Sequence, residues 1–348
     1  MTEEILVVDN LRKWFPIKAG LLQKTVGYVK AVDGVSLKIR RGETYGLVGE
    51  SGSGKTTLGK SILRLIEPTG GTVLYDGIDV TKAKKREVKK LRRRMQIIFQ
   101  DPYASLDPRQ TVGSTLSEAM RTHGLVASKS EAIRHARELL LRVGLNEEHL
   151  FRFPHEFSGG QRQRIAVARA LAVDPDFIVL DEPTSFLDVS VQAQVLDLLK
   201  DLQKELNLTY MFISHNLSVV QYMSNRVGVM YLGSLMEDAE RDMIYKAPEH
   251  PYSYFLMAAI PIPDPEFKKV PKLLSGDVPS PVNIPPGCRF NPRCPYATEK
   301  CRVGDVPFYT GSGSHHNVAC HYVVDFEGGT QALRPAIPIQ TAEARIRS

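Results

Sequence analysis

A glycine-rich stretch near position 50 has the residue types and spacing needed to bind phosphate groups. G-E-S-G-S-G-K-T-T occupies residues 49–57, after the apolar run Y-G-L-V and before a segment with helical spacing that extends to residue 66. Glycines let backbone N–H groups turn inward, and the start of the following helix attracts anions. Strand, glycine loop and helix in this order form the context of the Walker A pattern. We predict a phosphate site in which Lys55 contacts phosphate and the Thr56 hydroxyl ligates Mg²⁺.

A second stretch places two carboxylates at the end of an apolar run. F-I-V-L at residues 177–180 is followed by Asp181, Glu182 and Pro183. A carboxylate at a strand end beside a phosphate loop can hold Mg²⁺ directly or through water. The next carboxylate can polarise an attacking water. Alone, this pair before Pro183 is more typical of a turn. In a chain with a phosphate loop, it predicts Mg²⁺ binding by Asp181 and general-base catalysis by Glu182.

A third stretch provides another anion-binding helix start. F-S-G-G-Q occupies residues 157–161, and Ser158, Gly159 and Gly160 open a helix rich in Ala and Arg. Such an N-terminus favours negative charge. A chain with one phosphate-loop lysine and one separate helix start of this kind has two phosphate-binding surfaces. A site that uses both surfaces can be completed by a second chain.

Together these motifs resemble those of the ATP-binding cassette (ABC) family. In I-I-F-Q-D-P, Gln100 resembles the Q-loop glutamine, and residues 157–161 resemble the signature motif. S-F-L-D at residues 185–188 resembles the D-loop, and His215 in F-I-S-H-N resembles the switch histidine. Phe15 in K-W-F is similar in position to the aromatic that stacks on adenine, with Trp14 and Tyr28 as neighbouring alternatives. Two positions depart from the family pattern, since Phe157 replaces a leucine and Phe186 a small residue.

The resemblance implies a set of site residues and two cofactors, ATP and Mg²⁺. Glu182 and His215 would be catalytic, and Mg²⁺ would be held by Thr56, Gln100 and Asp181. Nucleotide-binding residues would be Phe15, Gly49, Glu50, Ser51, Gly52, Ser53, Gly54, Lys55, Thr56, Thr57, Gln100 and Asp181 in this chain's own site, with Ser158, Gly159, Gly160, Gln161 and Asp188 facing a partner's ATP.

The elements that must position these residues follow from the apolar pattern. Strands are predicted at residues 72–80, 95–100 and 227–240, and helices within 111–144 and 188–206. Strand-like runs within residues 4–48 are interrupted by an apparent insert near residues 20–27. The implied fold class is α/β: a P-loop NTPase with a RecA-like core, an antiparallel β subdomain, and a helical insert at about residues 101–165. A small, irregular C-terminal extension containing cysteines would follow.

Composition excludes some classes of protein. The chain has 348 residues and is 43% hydrophobic, without any apolar run approaching the ~20 residues of a membrane-spanning helix. Its N-terminus has no secretory pattern, so we expect a cytoplasmic location, with other chains crossing any membrane it serves. The net charge is +6, and much of the excess lies in residues 82–94. Such a run is compatible with a nucleic-acid or anionic membrane surface, and we favour a solvated helix face. No aromatic residues alternate with the basic ones, which disfavours stacking on single-stranded nucleic acid.

All four cysteines lie in the C-terminal part of the chain. Cys288, Cys294, Cys301 and Cys320 follow a proline-rich stretch, and none occurs before it. Cysteines confined to one loop-rich segment of a cytosolic protein favour metal binding over disulfides. No close C-x2-C pair, typical of structural zinc sites, is present. The residues alone leave an iron–sulfur cluster and zinc equally open.

The C-terminal part narrows the resemblance. The segments E-H-P-Y-S-Y at residues 249–254 and G-C-R-F-N-P-R-C-P at residues 287–295 resemble the C-terminal extension of oligopeptide and dipeptide permease ATPases. This implies an ATPase domain at residues 1–250, an extension at 251–330 and a tail at 331–348. It also implies a [4Fe-4S] cluster on the four cysteines, with zinc as the alternative.

The implied function is ATP hydrolysis that powers an importer, with peptides as the expected cargo. Partners would be a second, related ABC ATPase chain, two transmembrane permease subunits and an extracytoplasmic solute-binding protein, and the chain would lie on the cytoplasmic face of the membrane. No nucleic-acid partner is expected. The alternatives are an importer of another solute, such as an oligosaccharide or nickel, and a soluble ABC ATPase acting on nucleic acid. A catalytically silent cassette is disfavoured by Lys55, Glu182 and His215.

Overall fold

The structure is a computed structural model, and it describes residues 4–101, 105–260, 276–306, 308–311, 315–325, 332–335 and 337–338. The first part of the predicted proline-rich stretch, with Pro261, Pro263, Pro265 and Pro271, lies outside the described residues. So do residues 1–3 and most of the predicted tail at 331–348.

Strands and helices alternate through the middle of the chain. The strands are β1 (Glu4–Ala19), β2 (Lys24–Arg40), β3 (Thr44–Val48), β4 (Gly70–Tyr75), β5 (Ile78–Asp79), β6 (Met95–Ile98), β7 (Phe177–Asp181), β8 (Thr209–Ile213), β9 (Arg226–Tyr231), β10 (Ser234–Glu240), β11 (Tyr309–Thr310), β12 (Asn317–Val318), β13 (Tyr322–Asp325), β14 (Ala332–Pro335) and β15 (Ile337–Pro338). The helices are α1 (Lys55–Ile62), α2 (Lys85–Arg94), α3 (Val112–Thr122), α4 (Lys129–Arg142), α5 (Gly159–Leu171), α6 (Val189–Leu206), α7 (Leu217–Met223), α8 (Arg241–Lys246) and α9 (Pro251–Ala258).

A nine-stranded sheet forms the centre, in the order β15-β11-β12-β10-β9-β3-β8-β7-β6. Strands β6, β7, β8, β3 and β9 are parallel, and both of their faces are covered. On β7, Phe177 and Val179 pack into one core while Ile178 and Leu180 pack into the other. This two-sided burial explains the continuous apolar runs in the sequence. In parallel sheets of this kind, ligands bind beyond the carboxyl ends of the strands.

An antiparallel sheet of order β2-β1-β4-β5 covers one face of the core. Strands β1 and β2 pair from Glu4↔Arg40 to Ala19↔Lys24, with several register shifts along the way. The insert predicted near residues 20–27 is therefore wrong, because this stretch is the turn of a long hairpin and the start of β2. The antiparallel subdomain itself agrees with the prediction.

The segment between β6 and β7 is mainly helical. Helices α3 and α4 pack on each other and on α5, and 3-10 turns at Glu147–Phe151 and Pro154–Glu156 precede α5. Thr111 and Ser128 cap α3 and α4 by accepting hydrogen bonds from Ser114 N–H and Glu131 N–H. These caps separate the region predicted as helical into two helices.

The C-terminal part extends the central sheet. β12 pairs with β10 through Glu237↔Val318, and β11 and β15 continue outward from it. Phe290 is fully buried and belongs to the same core as Tyr231 and Tyr252. A search of the described residues finds no helix with both the length and the apolar character needed to cross a bilayer.

Candidate functional site

The phosphate loop connects the end of β3 to the start of α1. Gly54 is the N-cap of α1 and has φ 103, a conformation that favours glycine. A Cβ at this position would lie 2.0 Å from the Ala31 carbonyl oxygen, so a larger residue does not fit. The loop therefore holds the start of α1 against β2, at the carboxyl edge of the parallel strands.

Lys55 is buried and folds back on the loop. Its Nζ donates to the carbonyl oxygens of Gly49 at 2.7 Å and Glu50 at 2.9 Å, and to Ser53 Oγ at 3.2 Å. Burial lowers the pKa of Lys55, and the charges of Glu182 and Asp181 oppose this shift. The ammonium is thus held over the loop, next to the carboxylates at the end of β7.

Thr56 and Asp181 form an oxygen pair suited to a divalent cation. The Thr56 hydroxyl donates to Asp181 Oδ1 at 2.7 Å. Asp181 is 3% exposed, and burial raises its pKa, while the bond from Thr56 opposes the shift. Hydroxyl and carboxylate oxygens are preferred Mg²⁺ ligands, and a cation would also offset the burial of this carboxylate. The residues therefore fit the predicted Mg²⁺ site, although Gln100 contacts Glu182 rather than this pair.

Glu182 joins the other two predicted polar residues. Its Oε2 accepts a hydrogen bond from Gln100 Nε2 at 2.9 Å and lies 3.0 Å from His215 Nδ1. All three side chains line an open cavity of about 490 Å³ with Lys55 and Thr56. The structure thus brings together residues that are up to 160 positions apart in sequence, between Lys55 and His215.

The signature residues lie elsewhere. Ser158 caps α5 by accepting from Gln161 N–H, and Gln161 Oε1 accepts from Ser158 N–H in return. Gly160 contacts the start of α6, where a Cβ would lie 2.2 Å from Val191 Cγ1. Asp188 caps α6 and accepts from Val191 N–H at 3.0 Å. Two helix starts are therefore adjacent, and neither contributes to the described lining of the cavity around Lys55.

The two departures from the family pattern have different surroundings. Phe157 is 4% exposed and packs edge-on against His149, so it acts in the core. Phe186 is 67% exposed, beside the two helix starts. Phe157, which stands where the family has leucine, thus changes the packing of the core, whereas Phe186 exposes an apolar surface.

Phe15 lies on β1, opposite Val29, and is partly buried. Lys13 Nζ lies 4.8 Å from the centre of its ring. Phe15 does not line the cavity around Lys55. Trp14, the neighbouring alternative, donates from Nε1 to Asp33 at 3.0 Å and is also contacted by Lys30.

The four cysteines line one small cavity. Its volume is about 10 Å³, and Phe290, Tyr296 and His250 are among the other residues around it. All four are free thiols. Burial raises the pKa of Cys288 to about 11 and that of Cys294 to about 12. Nowhere in the described ranges are three or more His, Cys, Asp or Glu side chains arranged to hold a metal ion, so this geometry does not support the predicted cluster.

Two residues that contact the phosphate loop were missed by sequence reasoning. Tyr252, on α9, accepts a hydrogen bond from Glu50 N–H at 3.0 Å. Arg293, between Cys288 and Cys294, donates to Glu50 Oε2 at 2.8 Å and to Oε1 at 3.1 Å. Neither residue belongs to a motif that marks a contact so distant in sequence.

Comparisons with known families match two parts of the chain. The family described as ABC transporter matches residues 32–185, and the family described as oligopeptide/dipeptide transporter, C-terminal region, matches residues 236–301. The oligopeptide transport ATP-binding protein AppF of Bacillus subtilis is 48% identical over 92% of this chain and 97% of its own length. A putative peptide import ATP-binding protein of Brucella ovis is 52% identical over 92% of this chain and 98% of its own length.

Solved structures show the same fold. The ATP-binding cassette MJ0796, in a dimeric post-hydrolysis state bound to ADP and Pi, has 30% identity and a TM-score of 0.60, covering 68% of this chain and 98% of that chain. The fold, the site and the relatives agree: this chain belongs to the ABC transporter family, as an ATP-hydrolysing protein with the C-terminal region found in oligopeptide/dipeptide transporters.

Proposed function

We propose that this chain is the ATPase of a peptide importer and that the open cavity around Lys55 is its ATP site. The observation that carries this is the convergence of Lys55, Gln100, Glu182 and His215 on one cavity, next to the Thr56–Asp181 pair. Relatives of about half identical sequence are named as oligopeptide or peptide import ATP-binding proteins.

In this proposal the residues act in three ways. Lys55 and the loop N–H groups bind the phosphates, and Thr56 and Asp181 would hold a Mg²⁺ ion that would offset phosphate charge. Glu182 accepts a proton from the attacking water. His215, 60% exposed on the open side of the cavity, hydrogen-bonds the γ-phosphate. Phe15, outside the lining of this cavity, stacks on the adenine ring where the nucleotide extends beyond the phosphate groups.

The signature helix start serves a second chain's ATP. Ser158 and Gly159 lie outside this chain's own cavity, yet the N-terminus of α5 is open to anions. Exposed apolar side chains surround it, since Phe186 is 67% exposed and Val189 84% exposed. An apolar surface beside an exposed helix start fits closure by a second ATPase chain. That chain is a related but different one in this proposal.

The remaining partners follow from the proposed import function. Two permease subunits cross the membrane, and a solute-binding protein delivers peptides from outside. The chain is peripheral to the membrane on the cytoplasmic side. Gln100 and the helical insert transmit closure to the permeases. The domain boundaries predicted at residues 250 and 330 are part of this proposal.

The four cysteines hold a [4Fe-4S] cluster in this proposal. They come from positions up to 32 residues apart, yet line one cavity surrounded by aromatic side chains. Backbone N–H groups support the sulfurs, as Tyr322 N–H donates to Cys320 Sγ at 3.4 Å. Such bonds stabilise thiolates bound to iron. The cavity is small, so the segment must open to admit a cluster, and a single zinc ion is the alternative occupant.

Reconstitution tests the function. The chain, purified with its permeases and paired ATPase, is placed in liposomes with ATP outside and a peptide-loaded binding protein inside. We expect ATP-dependent export of labelled peptide from the lumen, the membrane equivalent of import, and loss of both transport and hydrolysis in Lys55→Ala. If the reconstituted system transports nickel or an oligosaccharide but not peptide, the proposed peptide cargo is wrong. ATPase activity that depends on DNA or RNA would instead favour the nucleic-acid class.

A further inference from the structure

Glu50, the second residue of the phosphate loop, is held from outside the ATPase core. Its backbone N–H donates to the Tyr252 hydroxyl at 3.0 Å, and its carboxylate receives two hydrogen bonds from Arg293. Its carbonyl oxygen accepts from Lys55 Nζ and from Ser53 N–H. Every polar group of Glu50 is therefore bonded, and the side-chain bonds and the N–H bond all lead to the C-terminal region.

Burying the charged Arg293 side chain costs free energy of desolvation, which its contact with Glu50 offsets. Its side chain is 7% exposed, and its other polar neighbour is Tyr231 Oη, at 3.4 Å. A buried guanidinium requires an anionic partner, and a bidentate carboxylate is the best available one. The pair joins residues 243 positions apart, so it links two parts of the molecule rather than one local turn.

Aromatic packing fixes the segment that carries Arg293. Phe290 packs edge-on against Tyr231, with ring centres 5.5 Å apart, and lies 5.3 Å from the ring of Tyr252. The nearby Arg289 also pairs with Asp33, at 2.7 Å. The segment around Arg293 is thus held by aromatic packing and by the Arg289–Asp33 pair while the Arg293 side chain contacts the phosphate loop.

We propose that Arg293 and Tyr252 are positioning residues for ATP binding: they hold Glu50 so that the phosphate loop is preformed and the Glu50 carboxylate is neutralised. This rests on the proposed ATP site around Lys55. Burial lowers the pKa of Lys55 and the Glu50 charge opposes this shift, which shows that the carboxylate is close enough to interact with charges at the phosphate site. A Glu50 carboxylate without Arg293 would therefore repel the negatively charged phosphates of ATP. Loss of Arg293 therefore disorders the loop and adds repulsion, and both effects weaken ATP binding.

The test measures ATP affinity of the full chain with a fluorescent ATP analogue, and steady-state kinetics of the assembled transporter. Arg293→Gln should raise the Kd for ATP about 10-fold and KM similarly, with kcat changed much less, because the charge effect acts on binding. Adding Glu50→Gln to Arg293→Gln should restore most of the affinity, since it removes the unpaired carboxylate. Arg293→Lys, which keeps the charge but loses the two-point contact, should fall between.

Two further variants make the result decisive. Arg302→Gln is the matched control: Arg302 adjoins Cys301 as Arg293 adjoins Cys294, but pairs with the exposed Glu299, so the Kd should not change. Tyr252→Phe removes the acceptor of Glu50 N–H without a charge change, and should raise the Kd a few-fold even if Arg293→Gln fails to fold. An unchanged Kd in both Arg293→Gln and Tyr252→Phe, or equal effects of Arg293→Gln and Arg302→Gln, would overturn the inference. Absence of ATP binding by the unmodified chain would instead contradict the proposed function.

Discussion

At the scale of single residues, Glu182 combines an unusual backbone with central contacts. It has φ 49, a left-handed conformation that is uncommon for a residue with a side chain, and its N–H donates to the Ile213 carbonyl oxygen at 2.9 Å. Such strain persists where the surroundings fix it, and it is common at functional sites. The bend after Asp181 directs the Glu182 side chain to Gln100 and His215 rather than to Thr56.

Glu182→Gln tests the assignment of the general base. The amide oxygen can still accept from Gln100, so the fold and ATP binding should be retained. The amide cannot take a proton from water, and turnover should fall ~10²–10⁴-fold. Hydrolysis is measured on the assembled transporter, with Glu299→Gln, an exposed carboxylate, as the control. Near-normal turnover would contradict the role of Glu182.

Local patterns were enough to predict these residues but not their supports. The predicted residues lie at the end of a buried strand or at the start of a helix, and such places have a recognisable pattern in a contiguous stretch of sequence. These residues are Lys55, Thr56, Asp181 and Glu182. The partners of Glu50 have no such local pattern, because Tyr252 and Arg293 lie on irregular or short elements that contact the loop only after the whole chain has folded.

At the scale of elements, the starts of α5 and α6 form a single surface. Gly160 allows the two helices to approach, and Ser158 and Asp188 cap them side by side. Both N-termini favour anions. Their own chain's cavity lies elsewhere, and in the proposed function the ligand of this surface is a nucleotide bound to a second chain.

Ser158→Arg is expected to block that second site. The long side chain fills the exposed helix start, while the phosphate loop is untouched, so ATP binding at Lys55 should persist and hydrolysis at the partner's site should fall sharply. Ser158→Ala removes the hydroxyl, whose loss as a cap costs about 1 kcal/mol of stability, and so separates that loss from the block by a long side chain. The sites are separated by testing each variant in one ATPase chain of the pair. Full hydrolysis at both sites with Ser158→Arg would exclude pairing through this surface.

The junction of β10 and β12 contains a buried ion pair that should make stability depend on pH. His316 Nε2 lies 2.6 Å from Glu237 Oε1, and both side chains are at most 1% exposed. Burial lowers the pKa of His316, but the hydrogen bond and charge of Glu237, together with Glu249, outweigh it and raise the pKa above the ordinary value. The pair therefore stabilises the fold fully below pH ~6.5, and this contribution is lost as the pH rises through the raised pKa.

His316→Gln measures this contribution. The free-energy difference in urea unfolding between the unmodified chain and the variant should be larger at pH 6 than at pH 9, reaching about 1–3 kcal/mol. His250, whose pKa burial lowers to about 4, opposes stability below the ordinary histidine pKa in both proteins, so its effect cancels in this difference. An equal difference at both pH values would show that the pKa of His316 is not raised in the folded protein.

Element prediction succeeded where the apolar period was long. The helix expected at residues 188–206 appears as Val189–Leu206, because a cap and an amphipathic face mark it. The helix expected to reach residue 66 ends at Ile62, since Arg64 adopts φ 49 and breaks the helix. Strands β11, β12 and β15 are two residues long, too short for any period to indicate them.

At the scale of the whole molecule, the C-terminal region is attached to the ATPase core at several points. β12 extends the central sheet through β10, Phe290 joins the main core, and Arg289 and Arg293 pair with Asp33 and Glu50. Sequence predicted a separate extension because its composition changes after Pro251. Composition indicates that the segment is irregular and rich in proline. It does not indicate whether the segment packs on the ATPase core, because that depends on contacts between residues far apart in sequence.

The last prediction concerns the cysteines at this junction. Chain prepared without oxygen should be brown, with broad absorbance near ~400 nm and about four irons per chain, as a four-thiolate cluster implies. Cys301 is 7% exposed and its carbonyl accepts from Cys288 N–H at 2.8 Å, so it holds the segment closed. Cys301→Ser keeps this backbone bond but removes one of the four thiols, so it should lose most of the iron, and protease should cut residues 288–301 faster. Because Arg293 lies in that segment, ATP affinity should fall by no more than in Arg293→Gln. One zinc per chain and no iron in the anaerobic protein would identify the alternative occupant, and two disulfides would exclude both metals.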